Sequence, residues 1–233
     1  MRTLIVANRS DADPGFVGEA LRARAARFEV LLREDEWSPP PPTDYDVVVS
    51  LGSEWSVYWE HVAPQVGREV MLLQQAVDAG KPVLGLCFGA QILAHALGGS
   101  VHRAAAPELG WHRIESDVPD LVPEGPYVQW HSDRFDLPAG ALELARNAVG
   151  PQAYALRSAV GLQFHPEATP EVVRRWCVGG LEELARAGVD PVSFIADADQ
   201  LVDEARARAD VIVESFLSGA LTAHSAPAAP SVT

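Results

Sequence analysis

This chain is expected to fold as an α/β three-layer sandwich around a mostly parallel central sheet, and three observations support that. Short apolar runs alternate with amphipathic helical patterns along most of its length. Runs such as Val83-Leu84-Gly85-Leu86 have no polar position, as strands buried on both faces require. The chain has 233 residues and 48% hydrophobic content, enough for one large core.

The elements follow in order. Residues 3–6 form a first strand, and a helix over 14–26 follows with Pro14 in its first turn. Residues 28–32 form a second strand. Ser38-Pro39-Pro40-Pro41-Pro42 can be neither strand nor helix, and reads as a stiff polyproline connector. Tyr45 to Ser50 forms a third strand running into a turn at Leu51-Gly52-Ser53. An amphipathic helix over 68–79 ends at Gly80 and is closed off by Pro82. The strand before Cys87 and a helix over 90–97 come next, stopped at Gly98-Gly99. Shorter strands are expected over 100–103, 113–115, 127–130 and 152–156. Thr169 caps a helix that has Pro170 at its first position. A long helix over 199–221 carries an apolar stripe of Leu201, Ala205, Ala209, Ile212, Val213 and Phe216, with Glu204 and Arg208 as an i,i+4 pair. Residues 1–221 are expected to form one domain, and 222–233, small and proline-rich, a disordered tail.

Cys87 occupies the turn between an apolar strand and a helix, with Gly85 and Gly89 on either side. That is the layout of a nucleophile elbow with cysteine in place of serine. The glycines allow a sharp turn, and the helix N-terminus favours the thiolate beside it. About eighty residues on, Val160-Gly161-Leu162-Gln163-Phe164 leads into His165-Pro166-Glu167. His165 is placed to take the thiol proton and return it to a leaving amine, and Glu167 to orient and stabilise the imidazolium.

In these motifs, their order and their spacing, the chain resembles the class I (triad-type) glutamine amidotransferases, including stand-alone members labelled GMP-synthase-like. The resemblance implies a flavodoxin-like fold and a Cys87–His165–Glu167 triad. It also implies an oxyanion hole made by the N–H groups of Gly52 and Phe88. The family's usual Ser-Gly-Gly-Pro turn reads Ser50-Leu51-Gly52-Ser53 here; the donor is main chain, so the departure changes the loop and not the chemistry. Substrate-binding roles are implied for Gln91, for the segment containing Gly110 and Trp111, and for His131 in the His-x-Asp segment that ends at Asp133. The substrate is glutamine or a γ-glutamyl compound. No metal or organic cofactor is required. No Gly-x-x-x-x-Gly-Lys-Ser/Thr loop is present, so an ATP-dependent synthetase would be a separate chain. The alternative is a γ-glutamyl amide or peptide hydrolase using the same triad. A third reading, a catalytically silent regulatory protein, is argued against by the intact triad.

Composition narrows the rest. A formal net charge of −14 disfavours nucleic-acid and anionic-membrane partners. No apolar run is long enough to span a membrane, and the first residues lack a secretory h-region. Two cysteines give no disulfide framework, consistent with a reducing cytoplasm. His61, His95, His102 and His112 have no ligand spacing. Cys177 falls in a helical pattern and reads as a packed small hydrophobe.

Overall fold

The computed structural model describes residues 1–223. Strand β1 (Arg2–Ala7) leads to helix α1 (Gly15–Ala23) and strand β2 (Arg27–Leu32). Strand β3 (Val47–Ser50), helix α2 (Ala63–Asp78), strand β4 (Val83–Leu86) and helix α3 (Phe88–Ala96) follow. Then come strands β5 (Ser100–Ser116), β6 (Gly125–Asp136), β7 (Leu142–Asn147), β8 (Gly150–Leu156) and β9 (Ala159–Leu162). The C-terminal part is helical: α4 (Pro170–Gly179), α5 (Leu181–Ala187), α6 (Pro191–Gln200), α7 (Val202–Leu217) and α8 (Ala220–Ala223).

The nine strands form one sheet in the order β2-β1-β3-β4-β9-β8-β7-β5-β6. Pairing is parallel from β2 through β1, β3 and β4 to β9, and antiparallel beyond. The alternation of side chains along each central strand separates two apolar layers. Ile5 and Ala7 of β1 face one layer with Val49, Leu84 and Leu86, covered by α1 and α7 through Leu21, Ile212 and Phe216. Leu4 and Val6 face the other with Val48 and Val83, covered by α2 and α3 through Leu73, Ile92 and Leu93. This is the three-layer sandwich the sequence predicts.

Several boundaries differ from expectation for identifiable reasons. Helix α2 starts at Ala63, ahead of the expected residue 68, because Pro64 lies in its first turn, where no intrahelical N–H is needed. The separate short strands expected at 100–103 and 113–115 are one strand, β5, whose register shifts between Arg103 and Glu108. Strand β7 and helices α5 and α6 were not expected. The helix expected over 199–221 is two helices meeting at Leu201, which ends α6 and opens α7. The break lets α6 pack on α4 while α7 packs on α1. Residues 222 and 223 belong to α8; the rest of the tail lies outside the described residues. Among the described residues no helix is long and apolar enough to cross a membrane.

Candidate active site

The strand β4 hands the chain directly to Cys87, whose φ of 50° and ψ of −108° are unusual for a residue with a Cβ. The turn is held on both sides. Cys87 N–H donates to Leu162 O at 2.8 Å, and Cys87 O accepts from Gln91 N at 3.0 Å. Two glycines are required by close approach. A Cβ on Gly85 would lie 2.4 Å from Gly89 O, and one on Gly89 would lie 2.0 Å from Ser50 O. Phe88 N–H belongs to the first turn of α3, where N–H groups have no intrahelical acceptor.

His165 follows β9, its N–H donating to Val128 O at 2.9 Å. Its Nδ1 is 2.7 Å from Glu167 Oε1. That bond fixes the ring and leaves Nε2 as the working nitrogen, buried and without a hydrogen-bond partner. The Cys87 thiol lies beside the ring. Burial opposes the charged ring, but Glu167 and Cys87 outweigh it and hold the imidazolium well above the usual imidazole range. Trp176 packs edge-on against the ring, with centroids 4.7 Å apart. Glu167 is fixed through its backbone: its carbonyl accepts from Phe16 N at 3.0 Å. The approach is so close that a Cβ on Gly15 would lie 1.9 Å from that oxygen.

Gly52 completes the core of the site. A Cβ there would come within 3.2 Å of His165 Cε1 and 3.8 Å of Cys87 Cβ, so its backbone lies against the triad. Cys87, His165, Glu167 and Gly52 all line one cavity of about 710 Å³.

The predicted substrate-binding residues divide. Gln91 and His131 line the cavity. Gln91 is buried at 3% exposure, its Nε2 donating to Asp133 O at 3.0 Å. His131 is held between Asp133 O at 3.0 Å, Gln129 Oε1 at 3.1 Å and Glu108 Oε2 at 3.2 Å. Gly110 and Trp111 are not part of the lining. Gly110 has a φ of 105° and faces Val189, while Trp111 packs against the cluster under α4–α6, its Nε1 3.4 Å from Phe194 O. The C-terminal helices, absent from the expected layout, cover this stretch of β5 and keep it from the cavity.

Other residues in the site were not singled out from sequence. Gln163 Nε2 is 3.8 Å from the Cys87 sulfur. Its position two residues before His165 on an extended segment is a signal that could have found it, since such residues share a face. Trp130, Trp176 and Asp133 also line the cavity; Ser56 and Tyr58 donate to the Asp133 carboxylate. Cys177 is 1% exposed within an apolar cluster, and burial pushes its thiol up. Among the described residues no group of three or more His, Cys, Asp or Glu is arranged to hold a metal.

A parallel α/β sheet with a strained cysteine at the carboxyl end of a central strand, a His–Glu pair beside it and two free N–H groups defines a thiol acyl-transfer enzyme. The chain belongs to the class I glutamine amidotransferase family. Residues 59–175 match the model of the family described as "Glutamine amidotransferase class-I". A GMP synthase (glutamine-hydrolyzing) of Thermomicrobium roseum is 37% identical over 157 residues, which cover 64% of this chain and 28% of that protein. One of the separate subunits of the GMP synthase (glutamine-hydrolyzing) of Saccharolobus solfataricus is 33% identical over 53% of this chain and 68% of its own length. The chain thus spans little more than a quarter of the former relative. A glutamine amidotransferase structure from Thermotoga maritima superposes with a TM-score of 0.85 at 27% identity, covering 93% of this chain and 98% of that one. One from Methylobacillus flagellatus gives 0.82 at 27% identity, covering 93% and 94%.

Proposed function

We propose that this chain hydrolyses the side-chain amide of glutamine and passes the ammonia to a separate, ATP-dependent synthetase. The observation that carries this is the arrangement of Cys87, the His165–Glu167 pair and the Gly52 backbone in one cavity, in a member of this family. The names of the relatives suggest a partner that completes a GMP synthase.

The steps follow from the geometry. The Cys87 thiolate attacks the γ-carbon of the carboxamide, and the C=O electrons move to oxygen, where the N–H groups of Gly52 and Phe88 stabilise the charge. His165 Nε2 gives its proton to the amine as the C–N bond breaks, releasing ammonia and leaving a glutamyl thioester. His165 then takes a proton from water. The hydroxide adds to the thioester, the C–S bond breaks, and glutamate leaves with Cys87 again a thiolate. Gln91 and His131 are assigned to the glutamine pocket on their place in the lining. Both cysteines are free and buried, which suits the reducing cytoplasm proposed as its location.

Steady-state glutamate release from glutamine, γ-glutamylamines and γ-glutamyl peptides tests the assignment, with and without the candidate synthetase and its substrates. Glutamine should be preferred, slow alone and faster in kcat with the partner. Rapid hydrolysis of a γ-glutamyl amide by the isolated chain, far above glutamine, would favour the hydrolase instead.

A further inference from the structure

We propose that Arg33 is the positioning residue of the oxyanion hole, holding the Leu51–Gly52 loop through its backbone carbonyls; this rests on the glutamine-hydrolysing function proposed above. Arg33 follows β2 and continues its pairing, its N–H donating to Ala7 O at 2.9 Å. The side chain is 1% exposed. Its Nε donates to Glu69 Oε2 at 2.7 Å, and Nη1 to Asn8 Oδ1 at 2.7 Å and Gly52 O at 3.1 Å. Nη2 donates to Leu51 O at 2.8 Å and lies within reach of Glu69 Oε1 and Ser50 Oγ. All three nitrogens of the fork therefore have acceptors.

Two of those acceptors are carbonyls of the loop that must present an N–H to the oxyanion. A trans peptide places its C=O and N–H on opposite edges of one plane. Fixing Leu51 O on Arg33 therefore turns Gly52 N–H to the edge away from the guanidinium. The bond to Gly52 O fixes the next peptide in the same way. The guanidinium also lies 4.8 Å from the centre of the Phe88 ring, and Phe88 carries the other N–H. One buried cation thus touches both residues that supply the donors. The turn has leucine and serine at 51 and 53, and Arg33 supplies the constraint that glycine and proline give the related turn. Stability alone does not explain an ion pair this deep, because apolar replacements are often as stable. A lysine cannot reproduce the fork.

The test compares Arg33→Lys with Arg208→Lys. Arg208 is also buried and donates to a backbone carbonyl, Pro126 O at 2.9 Å, but that carbonyl is outside the Leu51–Gly52 loop. Arg33→Lys should lower kcat for glutamate release about ten- to a hundredfold, part of what losing one oxyanion donor costs, with KM changed less than about twofold. Arg208→Lys should lose thermal stability without that fall in kcat. Alkylation of Cys87 by iodoacetamide, which forms no oxyanion, should keep its wild-type rate in Arg33→Lys. Hydrolysis of p-nitrophenyl acetate, which does form one, should fall with kcat. If the wild type releases no glutamate, the glutamine function fails and the ester assay still decides the role of Arg33. An unchanged kcat, or equal losses in ester hydrolysis and alkylation, would overturn the proposal. Should Arg33→Lys not fold, the double variant Arg33→Met/Glu69→Met removes the buried pair at similar volume and is read the same way.

Discussion

The two halves of the sheet contribute to the site in different ways. In the parallel half, each group assigned to bond-making lies just past the carboxyl end of a strand: Gly52 after β3, Cys87 after β4, His165 after β9. Sites of open α/β sheets form at these ends. Here position is set by the main chain, through the φ of Cys87, the bond from Cys87 N–H to Leu162 O and the close approach at Gly89. The antiparallel half supplies walls: Trp130, His131 and Asp133 of β6, held by side-chain bonds such as Gln91 to Asp133 and Trp130 to Glu183. Backbone-fixed groups give geometry that chemistry depends on, whereas side-chain walls can change with the substrate. Changes in the parallel half should therefore act on kcat, and changes in the antiparallel half on KM.

The largest effect tests the parallel half at its centre. Cys87→Ser should cut glutamate release on the order of a thousandfold or more while circular dichroism and Tm stay near wild type, because only the nucleophile changes. Gly89→Ala should be nearly as damaging through the fold itself. Its methyl would need the space of Ser50 O, and such overpacking costs about 1–3 kcal/mol or more, read as a fall in Tm or loss of soluble protein. His165→Ala should follow, and Glu167→Gln should weaken kcat less than it does, since the carboxylate orients the base and does not move the proton. Glu167 raises the histidine, so its removal lowers the pH at which the imidazolium is lost. The alkaline limb of the activity profile should move to lower pH in Glu167→Gln. An alkaline limb that stays in place would show that Glu167 does not tune the ring.

In the antiparallel half, Trp130→Phe removes the bond to Glu183, 2.9 Å long. KM should rise several-fold with kcat nearly kept; a fall in kcat with KM unchanged would erase the contrast between the halves. Glu204→Gln, far from both, removes a pair whose carboxylate is 68% exposed. It should shift stability by less than about 0.5 kcal/mol.

The same contrast explains what the sequence made legible. The parallel half is written in local signals: unbroken apolar strands, glycines flanking Cys87, Pro170 after the Thr169 cap, whose side chain accepts from Val172 N as capping requires. The triad was readable because its cysteine and histidine each follow such a strand. The antiparallel half carries half-polar strands whose joins depend on distant partners. The bulge that joins 100–103 to 113–115 has no local mark, nor does the break at Leu201, where the apolar stripe runs on unbroken. Trp111 looked like a pocket residue because its neighbours resembled one; only the packing of α4–α6 shows which way it is covered. Arg33 was invisible for a different reason. It is one of 17 arginines, and its acceptors Asn8, Ser50, Leu51, Gly52 and Glu69 come from separate segments of the chain.

The most direct test of the central claim, that Cys87 attacks glutamine at the strand–helix elbow, is labelling by a glutamine-mimicking diazo ketone followed by peptide mass mapping. One adduct per chain should form, on Cys87 and not on Cys177, and excess glutamine should slow it. Label mainly on Cys177, or labelling of Cys87 that glutamine does not slow, would contradict it.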